Sequence, residues 1–172
     1  TGGNMWPMLA GIGPLLGGEA VGSFTDSPPG RAWRYRDGRS WFGDSTSTAA
    51  HGWGSTPPRP LTHLRAPVAV LTGRRTSSSG EMTLLAFLGR PDLRTFGDTT
   101  SGAASANANV PLRDGAMLII TAAYPRDRLG RRYPLRIAPD EFVSESGVAG
   151  QDAPLLRASA WLRRHPACAP RE

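Results

Sequence analysis

Three consecutive serines, Ser77, Ser78 and Ser79, stand between the apolar run Val68-Ala69-Val70-Leu71 and a segment of helical character that opens at Glu81. A serine hydroxyl there is a candidate nucleophile for acyl transfer. A strand that turns into a helix can hold the hydroxyl at a sheet edge with the positive end of the helix behind it. No other segment of the chain offers a nucleophile with such support. Ser78 also has a purely structural explanation, because Ser78-Ser79-Gly80-Glu81 has the residue types of a capping box. The two roles are compatible, since a capping position also places the hydroxyl at the positive end of the helix dipole.

Other chemistries fail on spacing. Gly73 to Gly80 invites a phosphate-loop reading, but Glu81 stands where the phosphate-binding Lys belongs. Gly11-Ile12-Gly13 lacks the third glycine of a dinucleotide fold and lies inside a helical pattern. His51, His63 and His165 are far apart, and Cys168 is the sole cysteine, so neither a metal set nor an internal disulfide is expected. No cofactor is implied. The chain of 172 residues has a net charge of +6, and all 20 of its basic residues are Arg. Arg31, Arg34, Arg36 and Arg39 cluster, but no nucleic-acid reader motif accompanies them, so no nucleic-acid partner is expected. No apolar run has the length of a membrane span and no signal segment opens the chain. Thr1 in place of Met is read as the mark of residues missing upstream. Oligomeric state and redox compartment stay open.

The elements that must position the serines alternate between helix and strand, which favours an α/β fold. Asn4 or Gly3 caps a first helix, with Pro7 in its first turn and Met8, Leu9, Ile12, Leu15 and Leu16 on one face. Gly2-Gly3 therefore precede a helix start, where free N–H groups gather. Residues 19–43 read as a strand and a hairpin with turns at Ser27-Pro28-Pro29-Gly30 and Arg36-Asp37-Gly38-Arg39. Residues 44–60 read as a surface loop. A strand at Val68–Leu71, a helix at Glu81–Leu88 and a strand at Leu93–Phe96 follow. Val110–Leu112 and Met117–Tyr124 form a hairpin about Arg113-Asp114-Gly115. Arg136–Val143 reads as a last strand and Pro154–Arg164 as a closing helix. One domain is expected over residues 1–172.

Thr76-Ser77-Ser78-Ser79-Gly80-Glu81 after the Val68 strand resembles the nucleophile motif of the tail-specific, C-terminal-processing serine peptidases. Further matches run in family order. Thr1-Gly2-Gly3 resembles the end of the family's Asp-Leu-Arg-x-Asn-x-Gly-Gly segment. Gly97-Asp98-Thr99-Thr100-Ser101-Gly102 with Ala106-Asn107 resembles the loop after the nucleophile helix. Leu112-Arg113-Asp114-Gly115 resembles its Leu-x-Asp-Gly hairpin, and Ile137-Ala138-Pro139-Asp140 its Ile-x-Pro-Asp signature. The resemblance implies a Clp protease/crotonase-like α/β core with a mixed sheet and flanking helices. It implies Ser78 as nucleophile and an oxyanion hole from the Ser79 amide with Gly2 or Gly3. Ser77 and the side chain of Ser79 are then positioning or capping residues, and Glu81 is structural rather than the general base. The substrate is a peptide or protein, and the compartment is extracytoplasmic by the same resemblance.

The chain departs from the family where the family's bacterial members carry a catalytic Lys. Ala103 holds that position, and no Lys occurs anywhere, so a Ser-Lys dyad is excluded. The tricorn-like branch of the family uses a His upstream of the Gly-Gly segment. On that pattern the base lies upstream of this chain, which is then the C-terminal part of a catalytic domain and inactive by itself. Neither His51 nor His63 matches a family motif, and the position of the branch's supporting carboxylate falls near Tyr133, which is none. The rival reading is a non-catalytic module for apolar ligands on the same fold, as in the family's retinoid-binding relative.

Overall fold

Asn4 starts the first helix, as its residue type predicts: its side chain accepts a hydrogen bond from the Trp6 N–H at 3.0 Å, satisfying one of the free donors of a helix start. A computed structural model describes residues 2–25, 31–43, 61, 66–144 and 151–168. The Ser27–Gly30 turn, the 44–60 loop, His51 and His63 lie outside the described residues. Helix α1 covers Met5–Ile12 and tightens into a 3-10 turn at Gly13–Leu15. Strands β1 (Ala20–Phe24), β2 (Trp33–Arg36) and β3 (Arg39–Phe42) follow. The two-residue connection of β2 and β3 works because Asp37 and Gly38 both take positive φ, at 49° and 82°. Arg34 and Arg36 of the basic cluster are held on Glu19.

The second half supplies β4 (Val68–Thr72), α2 (Ser79–Phe87), β5 (Leu93–Gly97), β6 (Ala106–Pro111), β7 (Met117–Ala123), β8 (Pro125–Asp127), β9 (Glu141–Phe142) and α3 (Ala153–Arg164). Three sheets result among the described residues: an antiparallel sheet ordered β3-β2-β1-β8, a parallel sheet ordered β4-β5-β9, and the β6-β7 hairpin. The core lies where α1 and α2 meet the first sheet, around Leu9, Leu16, Val21, Trp33, Met82 and Leu85, all buried. Helix α3 covers the parallel sheet, with Trp161 against Phe96 at 6.0 Å between ring centroids.

The expected strand over Arg136–Val143 is largely absent; only Glu141–Phe142 is strand. Polar side chains take the place of a ladder there. The Ile137 N–H donates to Thr100 Oγ1 at 2.9 Å, and the Asp140 carboxylate accepts from the Thr95 N–H and hydroxyl, each at 2.8 Å. Pro139 removes a donor that a ladder would need. Strand β8 was not foreseen, because three residues carry no periodic signal.

Candidate active site

Strand β4 ends at Thr72, and a six-residue connection carries the chain into α2. Thr76 Oγ1 accepts from the Gly73 N–H at 3.1 Å, and its carbonyl accepts from the Ser101 N–H at 2.9 Å. Ser78 stands at the junction, with φ 51° and ψ −118°. Positive φ crowds a residue that has a Cβ, and such strain gathers where a side chain must be presented in one direction. Ser78 is half-buried there, between the strand end and the helix start.

The reciprocal arrangement of a capping box joins Ser78 and Glu81. Its well-formed half is the bond from the Ser78 N–H to Glu81 Oε2 at 2.8 Å. The other half, from the Glu81 N–H to the Ser78 hydroxyl, is in place but too loose for a hydrogen bond. Glu81 is fully buried, and its carboxylate also accepts from the Gly102 and Ala103 N–H groups, both at 2.8 Å, and more loosely from the Ser101 hydroxyl at 3.5 Å. These donors occupy the carboxylate, which acts as a bolt between the serine turn and the 101–103 loop. Asp98 sits on the neighbouring segment, where Arg74 at 2.7 Å and then the Thr99 N–H hold its carboxyl below the usual range.

Gly2 and Gly3 reach the same place from the other end of the chain. A Cβ on Gly2 would stand 3.1 Å from Ser78 Cβ, so glycine lets the main chain pass against the serine. The Ser79 hydroxyl donates to the Gly3 carbonyl at 2.6 Å and ties that strip down. Ser79 is the first residue of α2, so its N–H has no acceptor within the helix. Ser78, Ser79, Gly2 and Gly3 are thus brought together. Ser79's tether to Gly3 and the reach of Glu81 to residues 102 and 103 were missed from the sequence, because neither follows from local spacing.

His165 is elsewhere. It faces Asp92 at 3.6 Å, at the end of β5 away from the serine turn. The length of β5 puts about 16 Å between those two ends of the sheet. No cluster of three His, Cys, Asp or Glu side chains with metal-binding geometry occurs among the described residues. A cavity of about 550 Å³ opens between the Gly73–Thr76 turn, Leu71 and the start of α3 at Asp152 and Pro154.

A helix-start N–H and glycine main chain packed on a serine at positive φ form an arrangement suited to acyl transfer. The chain belongs to peptidase family S41, whose model matches residues 1–143. It is 33% identical over 141 residues to a nisin-resistance protein of Lactococcus lactis subsp. lactis, covering 81% of this chain and 42% of that protein. A lipoprotein structure from Streptococcus agalactiae is similar at TM-score 0.61 and 29% identity, over 95% of this chain and 51% of that one. The photosystem II D1 C-terminal processing protease shares the fold at TM-score 0.54 and 20% identity, over 97% of this chain and 37% of that one. The chain thus spans about half the length of these relatives or less. Family membership supports a peptidase-type function. Among the described residues, no helix is long and apolar enough to cross a membrane.

Proposed function

We propose that this chain is the C-terminal part of a serine peptidase catalytic domain, with Ser78 as its nucleophile. The supporting observation is the positive φ of Ser78 at the strand-to-helix turn, with Gly2 against its Cβ. Ser78 Oγ adds to the scissile carbonyl while a base takes the hydroxyl proton. The carbonyl oxygen becomes an oxyanion, held by the Ser79 N–H and a Gly2 or Gly3 N–H. The C–N bond then breaks, the amine leaves with the proton, and water hydrolyses the acyl-enzyme by the reverse route. On the family pattern the base comes from polypeptide upstream of the Gly2-Gly3 segment; the chain has no Lys, His165 faces Asp92, and His51 and His63 match no family motif. The nisin-resistance and lipoprotein relatives support a peptide substrate met at the cell envelope.

A fluorophosphonate probe tests the reading. Labelling of the full-length protein that disappears in Ser78→Ala is the expected result; no labelling of the folded wild type would sink it. The apolar side chains exposed on the β6-β7 hairpin favour a second reading, a module for apolar ligands. That reading predicts saturable binding of an apolar ligand with no labelling at all.

A further inference from the structure

A cavity of about 260 Å³ lies at the root of the β6-β7 hairpin, where β7 runs into β8, and it sits apart from the serine turn. Its polar lining is Thr25, Thr121, Tyr124, Arg126 and Arg132. Arg126 and Arg132 face each other across an antiparallel bridge. Neither has a carboxylate partner among the described residues. Arg132 lies instead over the Tyr124 ring, 4.7 Å from its centroid. The nearby acid, Asp127, is taken: it binds Arg131 at 2.8 Å and the Tyr133 hydroxyl at 3.0 Å. Thr25 is buried, and its Oγ1 accepts from the Tyr124 N–H at 3.0 Å. Its own O–H has no acceptor among the described residues, so a donor is left over at the cavity wall. Two guanidinium groups and a spare hydroxyl donor, with no acid left to neutralise them among the described residues, form a site for an oxyanion.

The cavity also has a defined relation to the serine. Ala103 shares the Glu81 carboxylate with Ser78, with both bonds at 2.8 Å. Three residues later Ala106 pairs with Ala123, whose side of β7 lines the cavity. Chain reach and strand spacing then bound the separation at roughly 22 Å, which about six extended residues span.

We infer that this cavity binds a carboxylate of the peptide substrate, anchoring the peptide while a bond a few residues away lies at Ser78. The inference rests on the peptidase reading for the identity of the ligand. A free chain end and an acidic side chain offer the same chemistry, so both sources are tested. The probe is a dansyl-labelled ten-residue apolar peptide, whose label carries no carboxylate, in three forms: free C-terminal acid, C-terminal amide, and amide carrying one Glu. Binding to the full-length Ser78→Ala protein is followed by anisotropy, so that hydrolysis does not interfere.

The acid or the Glu-containing amide binds about ten-fold more tightly than the plain amide, as loss of one charge-assisted contact implies. Whichever form binds tightly names the source. Arg126→Gln removes that preference and Arg126→Lys keeps part of it, with circular dichroism and melting confirming the fold. Equal binding of all three forms, or an undisturbed preference in the Arg126→Gln, Arg132→Gln double variant, overturns the site. In the wild-type background, Arg126→Gln raises KM about ten-fold with kcat little changed. If labelling and turnover are absent but carboxylate-dependent binding persists, the peptidase reading falls and the site stands. If turnover is the same for acid, amide and Glu-containing amide, the site falls and the peptidase reading stands.

Discussion

At Ser78 a strained backbone coincides with a capping-box hydroxyl whose contact with the Glu81 N–H is too loose for a hydrogen bond. A residue held at φ 51° and ψ −118° carries about 1–3 kcal/mol of conformational cost, whereas an N-cap serine contributes about 0.5–2 kcal/mol through its side chain. The two effects separate by substitution. Ser78→Ala changes stability by less than about 0.5 kcal/mol, because only a loose cap contact is lost. Ser78→Gly stabilises by about 1 kcal/mol, because glycine tolerates the positive φ. Urea unfolding of both variants reads this directly, and a loss of 1–2 kcal/mol in Ser78→Ala would mark the hydroxyl as a plain cap. Glu81 is the opposite case. Glu81→Gln offers an NH₂ to a site of N–H donors, so it destabilises by about 3 kcal/mol. It also slows fluorophosphonate labelling of Ser78, measured as a rate on protein still folded.

Short elements here are fixed by buried side chains more than by ladders. Asp127, on β8, shows the balance. Its burial opposes ionisation, but bonds from Arg131, the Tyr133 hydroxyl and the Leu129 N–H outweigh that and hold the carboxyl below its usual range. A depressed folded pKa means that the unfolded chain binds the proton first as pH falls. The stability from Asp127 is therefore present above about pH 4 and is lost as pH drops through the folded value. Tyr133 is pushed up to about 12, by burial first and then by the Asp127 carboxylate. Its contribution is full below the unfolded value near 10 and fades as pH rises from about 10 to 12. Asp127→Asn flattens the acid limb and Tyr133→Phe the alkaline one, in unfolding free energies followed across pH. If neither limb changes, the cluster does not govern β8.

For the whole molecule, the β6-β7 hairpin stands out. Val110 pairs with Leu118, and Ala108 with Ile120, on one face. Val110, Leu118, Ile119 and Ile120 remain 38–63% exposed. A patch of this kind on a hairpin that, among the described residues, pairs only with itself is an interaction surface or an aggregation hazard. The chain accordingly binds the dye ANS in its folded state, and Ile120→Lys lowers that fluorescence without lowering the melting temperature. Unchanged dye binding would show that the hairpin is covered. The chain covers 42% of its nisin-resistance relative and 51% of the lipoprotein. By the proposed division of the site, the 172-residue chain alone leaves peptide esters uncleaved while a longer parent cleaves them; robust cleavage by the chain alone contradicts that division.

Local chemistry determined much of this without any fold. The Asn4 cap, the Asp37-Gly38 turn, the Arg113–Gly115 hairpin turn and the strand and helix around the serines follow from backbone preferences within a few residues, and the ordered motifs pointed to the family. Such rules do not reach across distance. The Ser79 hydroxyl finds the Gly3 carbonyl 76 residues away, and Glu81 finds the amides of Gly102 and Ala103 in a loop that has no pattern of its own. A strand expected at Arg136–Val143 gives way to side-chain bonds from Thr100 and Asp140. The positive φ of Ser78 is likewise imposed by the surrounding structure. Only closure of the chain brings the glycines, the strained serine and the buried carboxylate to one place, because their partners are distant in sequence and are held by long-range hydrogen bonds.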